Sequence, residues 1–309
     1  MIRVIDFKDG DKLTSQLLVV SALKGVTNNG LTYLTLELRD ATGSINAKKW
    51  EVTPSDEEIF VAGNVIEANF EVIFYKTSLQ LKIYSAKLIS EDEIDVSKFA
   101  KQPPVAYEVL EKKLKGHIDS ISEGDIKKVL LHILSKFKSK FLSHPGASSI
   151  HHEYQHGLLH HTVSMADHAA YFASYYPNIN KDLLLAGTLL HDIGKTIELE
   201  GKVVFKYSLE GKLLGHISII NSEIAKAKEE LNIHSDDIIL LQHMILSHHG
   251  QLEYGSPVMP EIKEALLLYL IDNIDSKMVI VEKALETTEV GEFTNKIYAL
   301  DGRAFYKHQ

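Results

Sequence analysis

The chain has 309 residues, 45% hydrophobic and 24% charged, an ordinary globular composition with length enough for two hydrophobic cores. It contains no cysteine, which excludes disulfides and thiolate metal sites and fits a reducing, cytoplasmic setting. The net charge of −9 argues against a strong overall pull on phosphates, so nucleic-acid contact has to come from local patches. Residues 1–6 lack the apolar core of a signal peptide. The longest apolar runs, around 183–190 and 265–271, are too short to span a membrane, so no membrane partner is expected.

The first ninety residues are nearly neutral and mostly alternate with a period of two. Residues 16–23 read as a strand. The turn Thr27-Asn28-Asn29-Gly30 leads into a second, 31–38, whose apolar and polar residues alternate as in a half-buried strand. Asp40-Ala41-Thr42-Gly43 is another turn, opening a strand at 44–50. A short helix at 54–60 and a strand pair at 65–75 and 78–88 follow. Five strands with a helix between the third and fourth is the order of an OB-fold barrel, and the segment resembles nucleic-acid-binding OB domains. Such barrels bind single strands on aromatic platforms flanked by cations. Tyr33 and Trp50 with Lys48 and Lys49 are the candidates, and Phe74, Tyr75, Tyr84 and Arg39 are further ones. For each aromatic the competing reading is core packing.

Residues 91–104, acidic and then Gln102-Pro103-Pro104, read as a linker. From 105 onward the period is 3.6, punctuated by Gly116, Gly124, Pro145-Gly146, Pro177 and Gly211, with a short hairpin strand at 203–207. Lysines outnumber acids over 101–140: Lys112, Lys113, Lys115, Lys127, Lys128, Lys136, Lys138 and Lys140. They form either a solvated helix face or a basic track beside a catalytic domain. The expected organisation is therefore multidomain: an all-β OB barrel at 1–90, a linker at 91–104, and a mainly α-helical domain at 105–309 with its core at about 150–285.

The helical part carries a spaced set: His161, then His191-Asp192, then Asp272, each inside an apolar helical pattern. Burying such groups unpaired is costly, and a metal ion could satisfy all four. The helix 181–191 is expected to stop at Gly194, a favoured C-terminal breaker. The order of these residues, with the doublet extended to His191-Asp192-Ile193-Gly194-Lys195, resembles the HD superfamily of metal-dependent phosphohydrolases. The resemblance implies three helices converging on one metal. It also implies a second metal on His216, His248 and His249, with Asp192 bridging and His248 preferred over His249 as ligand. Imidazole with carboxylate suits Mn, Fe, Zn, Co or Ni, and the resemblance favours manganese. Two ions about 4 Å apart can clamp both oxygens of an in-line displacement at phosphorus. Asp192 and Lys195 are then the catalytic candidates, Lys195 neutralising the non-bridging oxygens or simply closing a helix end. Asp275 either orients a ligand histidine or faces solvent. His160 has no clear role, and His151, His152 and His156 either line the pocket or stand in an exposed loop.

An OB domain followed by an HD domain within about 310 cysteine-free residues resembles the YhaM-type bacterial 3'-5' exoribonucleases over nearly the whole chain. That resemblance implies trimming of single-stranded RNA, and to some degree single-stranded DNA, to nucleoside 5'-monophosphates by a homo-oligomer. The competing readings are a phosphodiesterase or nucleotidase acting on cyclic dinucleotides or mononucleotides, and a non-catalytic RNA-binding scaffold.

Overall fold

The computed structural model describes residues 2–27, 29–99, 104–146, 154–201 and 205–309. Asn28, Gln102, Pro103, His151, His152, Val203 and Val204, which figure in the expectations above, lie outside them. The chain divides into two compact units, one of residues 1–102 with 201–206, the other of 103–200 with 207–309.

The first unit is built on β1 (Lys12–Val26), β2 (Thr32–Asp40), β3 (Gly43–Trp50), β4 (Val65–Tyr75) and β5 (Ser78–Leu88), closed into a barrel in the order β1-β2-β3-β5-β4. β1 makes closure possible because it serves two neighbours. Lys12–Leu18 pairs antiparallel with β4 and Leu18–Val26 with β2, and a register irregularity between Val19 and Ser21 marks the bend. A parallel pairing of Asn46–Lys49 with Gln80–Ile83 joins β3 to β5. Each strand turns one face inward: Leu17, Leu34, Leu36, Leu38, Ile45, Ala47, Phe70 and Leu81 share one buried cluster. Full burial of each leucine stabilises by about 1.5–3 kcal/mol. The helix α1 (Pro54–Ile59) between β3 and β4 starts on Thr53, whose hydroxyl accepts from Asp56 N–H while the Asp56 carboxylate accepts from Thr53 N–H. This is the OB order. β1 exceeds the expected 16–23 at both ends, because pairing with two strands extends past the apolar stretch. Of the expected linker, Ile94, Val96 and Phe99 pack with Leu18, Val65 and Ile89, and Ala41 N–H donates to Lys98 O at 2.8 Å.

The second unit comprises α2 (Tyr107–Asp119), α3 (Asp125–Ser143), α4 (Gly157–Tyr175), α5 (Lys181–Leu190), α6 (Lys195–Glu198), α7 (Leu209–Glu230), α8 (Asp237–Ser247) and α9 (Lys263–Glu286). α5 is buried on all sides from Leu183 to Leu190, because α3, α4, α8 and α9 surround it. Asn180 caps its start, accepting from Leu183 N–H at 3.1 Å, and the buried Glu264 of α9 accepts from Asn180 N–H at 2.7 Å. α5 thereby delivers the residues at its C-terminal end into the middle of the helical unit. Among the lysines of 101–140, Lys113, Lys127, Lys128 and Lys136 pair with Asp167, Glu123, Asp125 and Glu223, which favours the solvated-face reading for those four. Among the described residues no helix is long and apolar enough to cross a membrane.

Candidate metal centre and nucleic-acid face

His191 follows the last residue of α5, and its Nδ1 lies 2.8 Å from Thr188 O. A carbonyl oxygen only accepts, so Nδ1 carries the proton and Nε2 presents a lone pair. The same logic fixes His248 at the end of α8, with Nδ1 2.7 Å from Ile245 O, and His249, with Nδ1 2.7 Å from Tyr254 O. Carboxylates do this for the other two rings. His161 Nδ1 lies 2.7 Å from Asp275 Oδ2, and His216 Nδ1 lies 3.0 Å from Glu198 Oε1. Ser164 donates to the second oxygen of Asp275 at 2.6 Å, so that side chain is held at both ends. Five imidazoles are thus gripped at Nδ1, the arrangement that orients metal-ligating histidines.

The ligand atoms form two groups, each within 4.8 Å: His161, His191 and Asp192; His216, His248 and His249. Asp192 lies between them. Its Oδ2 is 3.4 Å from His191 Nε2 and 3.6 Å from His161 Nε2. Its Oδ1 is 3.4 Å from His216 Nε2 and 4.0 Å from His248 Nε2. Asp272 Oδ1 stands 3.4 Å from His161 Nε2. These separations exceed a good hydrogen bond. They are close to the edge between two ligands that share one ion at about 2.1 Å, roughly 3.0–3.4 Å. The Nε2 atoms of His191, His216 and His248 are buried and find no hydrogen-bond partner among the described residues. Such atoms cost about 1–3 kcal/mol each unless something coordinates them. The donor set therefore fits a divalent transition metal.

The electrostatics agree. Burial alone would raise the Asp192 carboxyl, but Lys195, His191 and His216 hold it well below the usual range. Burial opposes charge on His161 too, yet Asp272 and Asp275 raise it to about 10, so this corner of the site stabilises a cation. His248 and His249 are pushed down by burial and by neighbouring histidines, which keeps them neutral and able to ligate. Burial disfavours the Lys195 ammonium, but Asp192, 2.7 Å away, keeps it protonated, and Gly146 O accepts from it at 3.2 Å.

The structure brings together all seven residues expected as ligands: His161, His191, Asp192, His216, His248, His249 and Asp272. His160 instead bonds the Tyr154 hydroxyl through Nδ1. His156 starts α4 with φ 64° and bonds Leu142 O through its Nδ1. The helix ends at Leu190, short of Gly194, but Gly194 is not the residue that breaks it by conformation: its φ of −56° is helical, and a Cβ there would lie 2.2 Å from His216 O. The glycine is needed for close approach. Glu198 was missed by sequence reasoning. The only signal for it is a carboxylate between apolar Ile197 and Leu199, which reads equally well as a strand edge.

On the barrel, Tyr33 and Trp50 are paired in register, with ring centroids 5.2 Å apart, and Lys48 Nζ lies 4.7 Å from the centre of the Tyr33 ring. Trp50 is 46% exposed. Tyr33 lies across Gly25, where a Cβ would come within 2.5 Å of the ring. These three residues share an outer face. Lys49 does not: it is 8% exposed on the inner side, with Nζ 3.0 Å from Trp50 O and 3.5 Å from Asp56. Alternation along β3 puts Lys49 with Ile45 and Ala47, so its adjacency to Trp50 in sequence is misleading.

An HD domain model matches residues 158–277. Over 305 residues, 98% of this chain and 94% of the relative, the chain is 44% identical to the 3'-5' exoribonuclease YhaM of Geobacillus sp. (strain WCH70). Among solved structures, the second OB-fold domain of replication protein A from Methanococcus maripaludis is 19% identical, with 29% of this chain and 94% of that one covered and a TM-score of 0.25. A putative aspartyl-tRNA synthetase from Leishmania major Friedlin is 10% identical, with 46% and 33% covered and a TM-score of 0.21.

Proposed function

The chain belongs to the YhaM family of 3'-5' exoribonucleases and is a metal-dependent hydrolytic enzyme of that kind; we propose that it trims single-stranded RNA with two ions held across Asp192. The observation that carries the two-ion reading is the pair of Asp192 oxygens, each turned to a different histidine group. In this reading His161, His191, Asp192 and Asp272 hold one ion, and Asp192, His216, His248 and His249 hold the other. Manganese is the favoured metal, with Fe, Co, Ni and Zn chemically acceptable to the same ligands.

When bound, the ions supply a nucleophile from water at neutral pH and Lewis-acid stabilisation of the phosphoryl group. The protein residues do the rest. Asp275 and Glu198 fix the rings of His161 and His216, so ligands need no reorganisation at the moment of reaction. Lys195 stays charged against Asp192 and places a cation beside the reacting phosphate. The 3'-oxygen of the upstream nucleotide leaves, and the product is a nucleoside 5'-monophosphate. Tyr33, Trp50 and Lys48 form the single-strand platform, on which any base can stack. RNA is the preferred strand and DNA a secondary one. The enzyme works as a cytoplasmic homo-oligomer.

One linear RNA and its circularised form, a cyclic dinucleotide and a mononucleotide, each incubated with enzyme and manganese, test the substrate class. Degradation of the linear RNA alone supports the proposal. Cutting of the circle indicates an endonuclease, and turnover of only the small molecules a phosphodiesterase or nucleotidase.

A further inference from the structure

α7 (Leu209–Glu230) is two helices rather than one. Gly215, at φ 70° and ψ 156°, breaks it one residue before His216. The backbone N–H of His216 therefore opens a helical segment, and such first-turn donors have no partner within their own helix. Glu198 Oε1 takes that donor at 3.1 Å and the ring Nδ1 of the same residue at 3.0 Å. A single carboxylate oxygen thus caps the helix and sets the direction of the imidazole that the helix presents.

The packing leaves α6, which ends in Glu198, little freedom to be elsewhere. A Cβ at Gly211, in the first half of α7, would lie 2.2 Å from Glu198 O and 2.7 Å from its Cα. A Cβ at Gly194, at the start of α6, would lie 2.2 Å from the carbonyl oxygen of His216, in the second half. Bare backbone meets backbone at both ends of one helical turn. The break at Gly215 is what lets the two halves of α7 grip it. His161, His191 and Asp272 need none of this: they come from α4, the end of α5 and α9.

We propose that Glu198 is a positioning residue for one metal position only: it holds His216 toward Asp192, so filling of the His216–His248–His249 group depends on it and filling of the His161–His191–Asp272 group does not. The inference rests on the two-ion reading above. Loss of a carboxylate that orients a ligand histidine weakens a metal site by about 10–100-fold.

The test is titration of the full-length, metal-stripped protein with Mn2+ by calorimetry, with retained manganese counted after desalting. Wild type is expected to hold two ions. Glu198→Ala is expected to hold the first at wild-type affinity and the second about 10–100-fold more weakly. Glu198→Gln keeps an acceptor oxygen at the same reach, so its second affinity should stay within about tenfold of wild type. Should Glu198→Ala not fold, Glu198→Asp decides: its shorter arm cannot serve both N–H groups, and the second ion alone must weaken. Two ions bound at unchanged affinity in the variant, or equal weakening of both, overturns the proposal and leaves the two-ion reading standing. A single ion in the wild type overturns the two-ion reading, and the proposal with it.

Discussion

Asp192→Asn changes one oxygen to nitrogen at constant volume, yet it strikes both histidine groups, because the two carboxylate oxygens face them separately. At a metal concentration a hundred times Kd, one bound ion stabilises the fold by about 2.7 kcal/mol. For a domain of this size that corresponds to a rise in Tm of roughly 5–10 °C per ion over the same protein in EDTA. The substitution should erase this metal-dependent gap. It should also lower the EDTA baseline, because Lys195, 2.7 Å away and only 14% exposed, loses its counter-charge. Breaking a buried pair costs about 3–5 kcal/mol, and the lower end applies here since Gly146 O still accepts from Lys195. Scanning calorimetry of both proteins, with manganese and with EDTA, gives the two numbers separately. A variant that keeps the full gap would refute the bridging role assigned to Asp192.

The barrel makes a contrasting pair. Tyr33→Ala and Trp50→Ala should each weaken single-stranded RNA by about 1–3 kcal/mol with the barrel's stability little changed, measured by fluorescence anisotropy. Lys49→Ala should instead lower stability with little direct effect on affinity, since Lys49 points inward to Asp56. Asp56 titrates below its usual value: burial opposes this, but its bonds to Thr53 and the charge of Lys49 prevail. Its folded pKa is depressed, so the stability it contributes is present above its unfolded pKa of about 3.9 and disappears as pH falls through the lower folded value. Urea melts should therefore separate wild type from Asp56→Asn at pH 6 and do so by clearly less at pH 3. Gly194→Ala should cost both stability and metal, read by melting and by bound manganese, because its Cβ would meet His216 O at 2.2 Å.

Much of this was legible in the sequence, for physical reasons. The strands at 65–75 and 78–88 stand where alternation puts them, because a closed barrel buries one face and wets the other. The spaced histidines and aspartates were visible because polar side chains in apolar helices are out of place. What sequence could not show is how the chain is held around them. A lone glycine in Leu214-Gly215-His216 does not by itself fix a helix break there, and nothing about Glu198 says that it reaches eighteen residues forward to cap one. Gly194 looked like a helix stop because that is where glycine is commonest; its function, close approach to another backbone, exists only in three dimensions. The inward turn of Lys49 was available from strand parity alone, and was hidden by its neighbour Trp50.

The most direct measurement is a time course of purified enzyme on 5'-labelled single-stranded RNA with manganese. The expected result is a ladder shortening from the 3' end with release of nucleoside 5'-monophosphates, abolished by EDTA and by Asp192→Asn. RNA left intact by protein that demonstrably holds its metal would contradict it.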